Sequence, residues 1–397
     1  MATLTVKNVG PIQEAELEVK KHTIFIGPQG SGKSTLAKLI AIGSSFPISA
    51  LRQKDNTQFY ENYNITSYVN DDSYWQLLDG IYRITYNKAF DIDLTEEGYK
   101  IDNEKQNEYN KDNGANSGGF RFYRDDILGK APIQYSNMRV YTRNYMGSVY
   151  TNHLIRLSSV YIPTERMIAS TLSNAVWGLL YTGTSVPAIV SMFGSMIENA
   201  RQVLKEFSIP FLGIKYDRVE NIDLIKLKND VSIKLSQAAS GYQAVVPLLH
   251  VVEGNRRSNW ARYVVEEPEL NLYPMAQKAL IYSLVSGLSS EARAYNAEWI
   301  ITTHSPYVLS SYNTLLLAYK VAQKSQELRE EVAKIIPERC WINPADFAAY
   351  YVDNGTVRSI INPKTGLIMD NELDDVSDQF AEEQDQLLAL NRGIIHD

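Results

Sequence analysis

The feature that most constrains this chain is a glycine-rich stretch, Gly27-Pro-Gln-Gly-Ser-Gly-Lys-Ser34. The four residues before it, Thr23-Ile-Phe-Ile, are typical of a short buried strand, and the apolar residues after Lys33 recur at helical spacing. Apolar strands and helical stretches alternate along much of the remaining chain. This alternation predicts an α/β core with a mixed sheet, in which the glycine-rich stretch joins a strand to a helix.

The glycines and the lysine of this stretch are spaced as a phosphate group requires. Three glycines let successive backbone N–H groups converge on phosphate oxygens, where a Cβ atom would obstruct the approach. The following helix adds about half a positive charge at its N-terminus. Lys33 can reach the β- and γ-phosphates, and the Ser34 hydroxyl can bind Mg²⁺. The alternative is a glycine-rich turn with a surface lysine. We predict that ATP and Mg²⁺ are bound by Gly27, Gly30, Ser31, Gly32, Lys33, Ser34 and Thr35.

The composition limits the class of protein. A length of 397 residues, 44% of them hydrophobic and 21% charged, predicts one or two packed domains. The net charge of −7 argues against a broad nucleic-acid-binding surface, although it leaves room for a local basic groove. Cys340 is the single cysteine, so an intrachain disulfide is excluded and a reducing, cytoplasmic location is expected.

One uncharged run, between Arg166 and Glu198, is long enough to be weighed as a membrane span. It contains many Gly, Ser and Thr residues and a break at Gly183–Pro187, whereas a spanning helix needs about 20 predominantly apolar residues. We therefore interpret the run as a buried helix pair or a subunit contact, and we expect no membrane partner.

The chain is predicted to contain a core, an insertion and a C-terminal helix. Residues 44–156 are rich in Tyr and Asn and interrupt the core, which comprises residues 1–43 and 157–365. A helical lobe is expected at about residues 166–250, and an α+β structure for the insertion. Residues 366–397 are expected to form an acidic amphipathic helix, packed either on its own core or on a partner.

Two further strands end in polar residues. Tyr263-Val-Val-Glu266-Glu267 is an apolar strand with two carboxylates at its end. Glu266 would hold Mg²⁺ through water, and Glu267 would polarise the attacking water. The alternative is a solvated strand end. His304 follows the apolar strand Ile300-Ile-Thr-Thr303, and a neighbouring strand could deliver it to the γ-phosphate.

The segment Ser240-Gly-Tyr-Gln243 opens a helix and allows two interpretations. Ser240 is a favourable N-cap, and a Ser-Gly helix start needs no further function. A helix N-terminus with Ser and Gly is equally a second phosphate-binding surface. The residues alone leave this choice undecided.

Taken in order, these four segments resemble the ABC-type ATPases of the SMC and RecF kind. The glycine-rich stretch is similar to the Walker A loop, Tyr263–Glu267 to the Walker B strand, and His304 to the switch histidine. Ser240, Gly241 and Gln243 match positions two, three and five of the Leu-Ser-Gly-Gly-Gln signature. The resemblance implies an ABC-type P-loop ATPase head with a helical lobe; sustained heptads, and hence coiled-coil arms, are absent from the sequence.

Three phrases resemble a narrower group, the OLD-like ATPases (PtuA/AriA type) of bacterial anti-phage systems such as Septu and PARIS. They are Val6-Lys-Asn-Val-Gly-Pro-Ile12, Glu267-Pro-Glu-Leu-Asn-Leu-Tyr-Pro274 and Thr303-His-Ser-Pro306. In the ABC family ATP is sandwiched between two head-to-tail subunits. The resemblance therefore implies a homodimer or higher homo-oligomer, in which Ser240 of one chain faces the γ-phosphate held by Lys33 of the other.

The chain departs from the family pattern at three places. Tyr242 stands at the second glycine of the signature, and Glu266 is one methylene longer than the usual Walker B aspartate, so slow turnover is expected. Pro163-Thr-Glu-Arg166 occupies the place of the Q-loop glutamine, for which Glu165 and Arg166 are the candidate substitutes.

The leading hypothesis is an ATPase of antiviral defence, a sensor or scaffold that oligomerises and controls a separately encoded effector nuclease or toxin. No effector is evident in this chain. The alternative is a RecF-like repair clamp that binds DNA, for which Arg256, Arg257 and Arg262 are candidates; DNA is not required by the leading hypothesis. A transporter nucleotide-binding subunit is a third, less favoured hypothesis.

Overall fold

The structure is a computed structural model that describes residues 2–50, 57–80, 82–87, 89–96, 159–171, 186–255, 262–288, 297–369 and 372–391. Most of the predicted insertion, together with Arg256 and Arg257, lies outside these residues. Fifteen strands are described: β1 Ala2–Val9, β2 Ile12–Val19, β3 His22–Ile26, β4 Tyr74–Asp79, β5 Tyr82–Asn87, β6 Ala89–Leu94, β7 Ser159–Ile162, β8 Glu206–Ile209, β9 Ile214–Val219, β10 Ile222–Lys226, β11 Ser232–Lys234, β12 Arg262–Glu266, β13 Glu298–Thr302, β14 Phe347–Asp353 and β15 Thr356–Ser359.

Nine α-helices belong to the same described residues. They are α1 Lys33–Ala50, α2 Thr57–Asn62, α3 Ile168–Thr171, α4 Ala188–Val203, α5 Ser240–Gly254, α6 Pro274–Ser286, α7 Pro306–Ala322, α8 Gln326–Ile335 and α9 Glu372–Asn391. The chain turns between α7 and α8. Ser325 is the N-cap of α8, since its side chain accepts a hydrogen bond from the backbone N–H of Leu328.

The central sheet has six strands in the order β15-β14-β3-β13-β12-β7. Five of them run parallel, and only β15 pairs antiparallel, with β14. Parallel strands need helical crossovers, which bury both faces of the sheet. The predicted α/β fold with a mixed sheet is therefore confirmed.

The two faces of the central sheet are covered by different layers, because successive side chains of a strand point to opposite sides. Phe25, Val264 and Ile300 pack with α1 and the N-terminal strands on one face. Their neighbours Ile24, Val265 and Ile301 pack with α5, α6 and α7 on the other face. These fully buried strand residues fix the positions of the strand ends.

An antiparallel sheet, β2-β1-β4-β5-β6, lies at the N-terminal side. Strands β4–β6 come from the segment predicted as an insertion, yet β4 pairs with β1 along its whole length. The chain turns between β4 and β5 at Gly80, whose φ is +61°, and β5 pairs antiparallel with both β4 and β6.

A third sheet, β11-β10-β9-β8, follows α4 within the predicted helical lobe. Strands β10 and β11 form a hairpin, and Asp230 in its turn has a positive φ of +63°. Within the predicted uncharged run, α4 buries Ile189, Phe193 and Ile197. Across the ranges given above, no helix combines the length and apolarity that a membrane crossing requires.

Large apolar side chains in the C-terminal two thirds of helix α9 are exposed to solvent. Phe380 is 59% exposed, Leu387 65% and Leu390 64%. Packing of the predicted acidic helix on its own core is therefore not found for these residues, and contact with a partner stays a prediction.

Candidate functional site

The strand order brings the polar strand ends together. Strand β13 lies between β3 and β12, with Thr302 opposite both Phe25 and Glu266. The carboxyl ends of parallel strands meet at one edge of a sheet, which is where open α/β sheets bind ligands. The loop after β3, the two glutamates after β12 and His304 after β13 therefore share one edge.

The glycine-rich loop has the backbone that only glycine adopts readily. Gly27, Gly30 and Gly32 have φ angles of +139°, +75° and +112°. A Cβ atom on Gly27 would lie 2.1 Å from the Val352 carbonyl oxygen, whereas one on Gly30 would meet no atom within 4 Å. Gly27 is thus needed for packing against β14, and Gly30 borders open space above the loop.

Lys33 lies inside this loop. Its Nζ donates hydrogen bonds to the carbonyl oxygens of Gly27, at 2.9 Å, and Pro28, at 2.6 Å. Burial lowers the pKa of Lys33 to about 8, against the opposing influence of Glu267 and Glu266. The ammonium group is held by these two backbone carbonyls, and it contacts no carboxylate among the described residues.

Two further observations indicate that the loop can bind a phosphate group. Within the described ranges, the buried Oγ of Ser31 has no hydrogen-bond partner. The Ser34 hydroxyl at the start of α1 is exposed, while Thr35 is buried. An unpaired buried hydroxyl, a lysine without an anion and a helix N-terminus together fit a nucleotide phosphate.

Glu266 and Glu267 differ in exposure. Glu266 is the last residue of β12 and is 5% exposed, whereas Glu267 is half-buried. The backbone N–H of Glu267 donates to the Thr302 carbonyl at 2.9 Å, and the φ of Glu267 is +42°. A left-handed backbone at a non-glycine residue costs about 1–3 kcal/mol and concentrates at functional sites.

His304 stands beside Glu267. Its Nε2 lies 3.7 Å from the Oε1 of Glu267, and both side chains are 32% exposed. Burial, followed by the charge of Lys33, lowers the pKa of His304, although Glu267 raises it. The imidazole is therefore neutral at pH 7 and can offer one N–H to an anionic oxygen.

Glu269 is a site residue that the sequence analysis missed. Its Oε1 accepts hydrogen bonds from Thr303 Oγ1, at 2.5 Å, and from the backbone N–H of His304, at 3.2 Å. Burial raises the pKa of this carboxyl. Its position two residues after Glu267 was the only available signal, and a side chain that points inward after a strand end cannot be recognised by spacing.

The residues compared with the ABC signature lie at the start of α5. Ser240 was considered as an N-cap, but Ala239 occupies that position without a side-chain cap, and Ser240 is the first helical residue. Ser240 is exposed, and Gly241 packs so closely that a Cβ atom would lie 2.8 Å from the Asn271 carbonyl oxygen. The Gln243 amide donates to the Ala238 carbonyl at 2.8 Å, within its own segment.

The surroundings of Arg262 contradict the hypothesis that this residue contacts DNA. Its side chain is 4% exposed, and its guanidinium contacts Asp79 at 2.5 Å, Glu298 at 2.7 Å and the Ser44 hydroxyl at 2.5 Å. A buried and fully paired arginine is unavailable to phosphates of DNA. Arg262 instead ties β12 to β13, β4 and α1.

Mg²⁺ would be held by Ser34, Glu266 and the nucleotide together. In the described parts of the chain, no group of three or more His, Cys, Asp or Glu side chains could form a metal cage of its own. Mg²⁺ commonly binds one or two protein oxygens and completes its shell with phosphates and water. The donors present fit that mode.

The sheet order, the glycine-rich loop and the polar strand ends define a P-loop ATPase fold of the α/β class. Residues 186–309 match a family model described as an AAA ATPase domain. This match includes Ser240, Glu267 and His304, but the glycine-rich loop lies outside it, earlier in the chain. It supports nucleotide binding by the chain.

Several solved structures are similar to this chain. One is the SMC head domain from Thermotoga maritima, with 13% identity, a TM-score of 0.39, and coverage of 90% of this chain and 97% of that one. Another is the Smc head domain with an extended coiled coil bound to the C-terminal domain of ScpA, derived from Pyrococcus furiosus, with 10% identity, a TM-score of 0.40, and coverage of 97% and 100%. No curated protein matches the chain.

Proposed function

We propose that this chain binds ATP with Mg²⁺ and hydrolyses it slowly. The observation that carries the proposal is the 3.7 Å approach of the His304 imidazole to the Glu267 carboxylate, at the sheet edge that also holds Lys33. A shared electrostatic environment supports the proposal, because the charge of Lys33 lowers the pKa of His304 and the charge of Glu267 raises the pKa of Lys33.

Each side chain has a separate task in this reaction. Lys33 and the backbone N–H groups of residues 27–35 bind the phosphates, and Ser34 with Glu266 would hold Mg²⁺, which when bound neutralises phosphate charge. Glu267 orients a water molecule and accepts its proton. The water oxygen bonds to the γ-phosphorus while the bond to the ADP oxygen breaks, and neutral His304 donates a hydrogen bond to the γ-phosphate.

A second copy of the chain is proposed to complete the site. The Ser240 hydroxyl is exposed at the N-terminus of α5 and is not used as a cap. Exposed apolar side chains adjoin the catalytic segments: Tyr273 (77%) and Met275 (66%) follow the Glu267 loop, and Tyr307 (50%) follows His304. Such a surface around a polar site is typical of a subunit contact, and it suits a head-to-tail homodimer.

The biological role proposed is a defence sensor or scaffold that controls a separately encoded nuclease or toxin. Support comes from the resemblance of the residues around Glu267 and His304 to OLD-like ATPases, and from the exposed apolar side of α9 as a contact surface. The repair-clamp alternative loses Arg262 as a DNA contact.

The test is ATP turnover and light-scattering mass of the wild type and of Glu267→Gln, with and without double-stranded DNA. We expect Glu267→Gln to lose turnover by about 100-fold and to form a stable ATP-dependent oligomer. Glu331→Gln, at an exposed position of α8, is the matched control. Wild-type turnover in Glu267→Gln would contradict its catalytic role.

The same measurement separates the two biological roles. A DNA-independent oligomer that co-purifies with a nuclease or toxin encoded by a neighbouring gene supports the defence role. A monomer that dimerises only with ATP and DNA together supports the repair clamp.

A further inference from the structure

Arg166 is a fully buried cation behind the candidate site. Its side chain has 0% exposure and lies in the short 3₁₀ turn Thr164–Met167 after β7. Among the described residues it makes no ion pair in direct contact; its donors go to backbone carbonyl oxygens. Buried arginines usually face a carboxylate, so this arrangement calls for an explanation.

The carbonyl oxygens that Arg166 binds belong to three different segments. Nη1 donates to Glu266 O at 2.7 Å and to Pro163 O at 3.0 Å, and Nη2 donates to Glu267 O at 2.5 Å. Nε donates to Ala244 O, in α5, at 3.1 Å. One guanidinium therefore joins the end of β12, the turn after β7 and the helix that begins at Ser240.

The charge of Arg166 is retained in this position. Burial lowers its pKa to about 10, whereas the nearby carboxylates of Glu269, Glu267, Glu266 and Glu165 raise it. The group is thus protonated at neutral pH. Hydrogen bonds from a charged donor to backbone oxygens are stronger than those from a neutral donor.

The two contacts to β12 fall where the backbone is strained. Arg166 holds the carbonyls on both sides of the Glu267 Cα atom, and Glu267 is the residue with a φ of +42°. Fixing both peptide planes fixes the direction in which the Glu267 side chain leaves the backbone. The hydrogen bonds of Arg166 therefore stabilise the left-handed backbone conformation of Glu267.

We propose that Arg166 is a positioning residue, which couples the place of helix α5 to the orientation of the Glu267 carboxylate. This inference rests on the proposed ATPase function. A shift of α5 changes the Ala244 contact, and the rigid planar guanidinium passes the change to the peptide groups of Glu266 and Glu267. A second copy that engages Ser240 at the start of α5 would in this way act on hydrolysis in the chain that it touches.

A neighbouring hydrogen bond supplies a matched control. Ser170 in α3 donates through Oγ to Gln243 O at 2.9 Å, so it also anchors the start of α5. In the part of the chain that the structure describes, the Ser170 side chain makes no hydrogen bond to Glu267. Ser170→Ala should therefore loosen only the first turn of α5, at Gln243, because Arg166 still holds the Ala244 carbonyl and the carbonyls of Glu266 and Glu267 in this variant.

The test compares Arg166→Met, Arg166→Lys and Ser170→Ala with the wild type by two measurements. In Arg166→Met we expect kcat to fall about 30-fold or more with nucleotide affinity changed less than about threefold, because misplacement of a catalytic group acts on turnover. Arg166→Lys keeps the charge but loses the planar fork, and should recover only part of kcat. Ser170→Ala should stay within about threefold of wild type.

The second measurement is amide hydrogen exchange of the nucleotide-free protein, followed by mass spectrometry. Arg166→Met should accelerate exchange in residues 240–247 and in residues 266–270 together, whereas Ser170→Ala should affect only the first segment. Should Arg166→Met not fold, Arg166→Lys is judged alone by the same two measurements.

The outcomes are distinguishable. Faster exchange in both segments with a selective loss of kcat supports the inference. Wild-type kcat in both Arg166 variants, an equal loss of affinity and turnover, or faster exchange in one segment alone overturns it. A wild type that hydrolyses no ATP refutes the proposed function, and the exchange measurement then still decides whether Arg166 couples the two segments.

Discussion

The carboxylate of Glu269 accepts the backbone N–H of His304 at 3.2 Å, and so links the end of β12 to the end of β13. The same oxygen accepts the Thr303 hydroxyl at 2.5 Å. The two strand ends that carry Glu267 and His304 are thus joined by a buried side chain, which is 9% exposed. The relative position of the two candidate catalytic groups depends on this link.

Replacing Glu269 should weaken both the fold and the site. Glu269→Ala leaves the Thr303 hydroxyl and the His304 amide unpaired in a buried place, which costs about 1–3 kcal/mol per orphaned group. Urea unfolding measures this loss, and ATP turnover should fall with it. Glu269→Gln keeps an acceptor oxygen and should lose less stability; an equal loss in both variants would contradict the hydrogen-bond explanation.

The pH dependence of nucleotide binding should follow the loss of the proton from the Lys33 ammonium group. In the free protein its pKa is lowered to about 8 by burial. Because the charged form binds phosphate, affinity should be constant below pH 8 and fall as pH rises above it, approaching tenfold per pH unit. Fluorescence titration with an ATP analogue from pH 6.5 to about 9.5 measures this.

Lys33→Arg is the control for that titration. Arginine stays charged over the whole range, so its affinity should show no fall above pH 8, even where its absolute value is weaker. A parallel fall in both proteins would assign the titration to another group. Lys33→Ala should abolish binding.

Two glycines of the same loop should respond differently to alanine. Gly27→Ala places a Cβ atom 2.1 Å from the Val352 carbonyl oxygen, which forces β3 away from β14 and should cost about 3 kcal/mol or more. Gly30→Ala meets open space and should cost about 1–2 kcal/mol for its positive φ. Thermal unfolding of the two variants gives the comparison, and equal melting temperatures would contradict it.

We expect replacement of Arg262 to lower the stability of the fold and to leave DNA binding unchanged. Arg262→Met removes the partner of Asp79 and Glu298, whose side chains are 17% and 37% exposed, and should destabilise the fold by about 1–3 kcal/mol. Asp79→Asn keeps a hydrogen-bond acceptor and should cost less. Salt-dependent DNA binding that disappears selectively with Arg262→Lys would instead restore the groove hypothesis.

Removal of residues 370–397 should leave the rest of the protein stable. The described apolar side chains of α9 are exposed, so their removal eliminates little buried surface. We expect a change in melting temperature of less than about 3 °C. A larger drop would show that the helix packs on the core after all.

The parts of the site that could be predicted from the sequence are those in which the functional residues lie within one short segment of the chain. The glycine-rich loop, the paired glutamates after β12 and His304 after β13 each follow an apolar strand, and the structure brings them to one sheet edge. Their roles remain predictions. The α/β class followed from the alternation of strands and helices, because periodicity records which face of an element is buried.

The parts that escaped prediction depend on contacts between distant segments. Arg262 looked like a surface base because its partners Asp79 and Ser44 are more than 180 residues away along the chain. The pairing of β4 with β1 was missed for the same reason, since an alternating pattern gives a strand but not its neighbour. Arg166 was considered only as a substitute for a glutamine, whereas its contacts are all to backbone oxygens.

Strand β12 begins at Arg262 and ends at Glu266, a span of roughly 16 Å for five residues. A hydrogen-bonded strand in the middle of a sheet behaves as a stiff rod. Its amino end is clamped to β4 through Asp79, and its carboxyl end carries the glutamates of the site. The antiparallel N-terminal sheet and the candidate site therefore contact opposite ends of the same strand, and the position of β4 bears on the position of the two glutamates through β12.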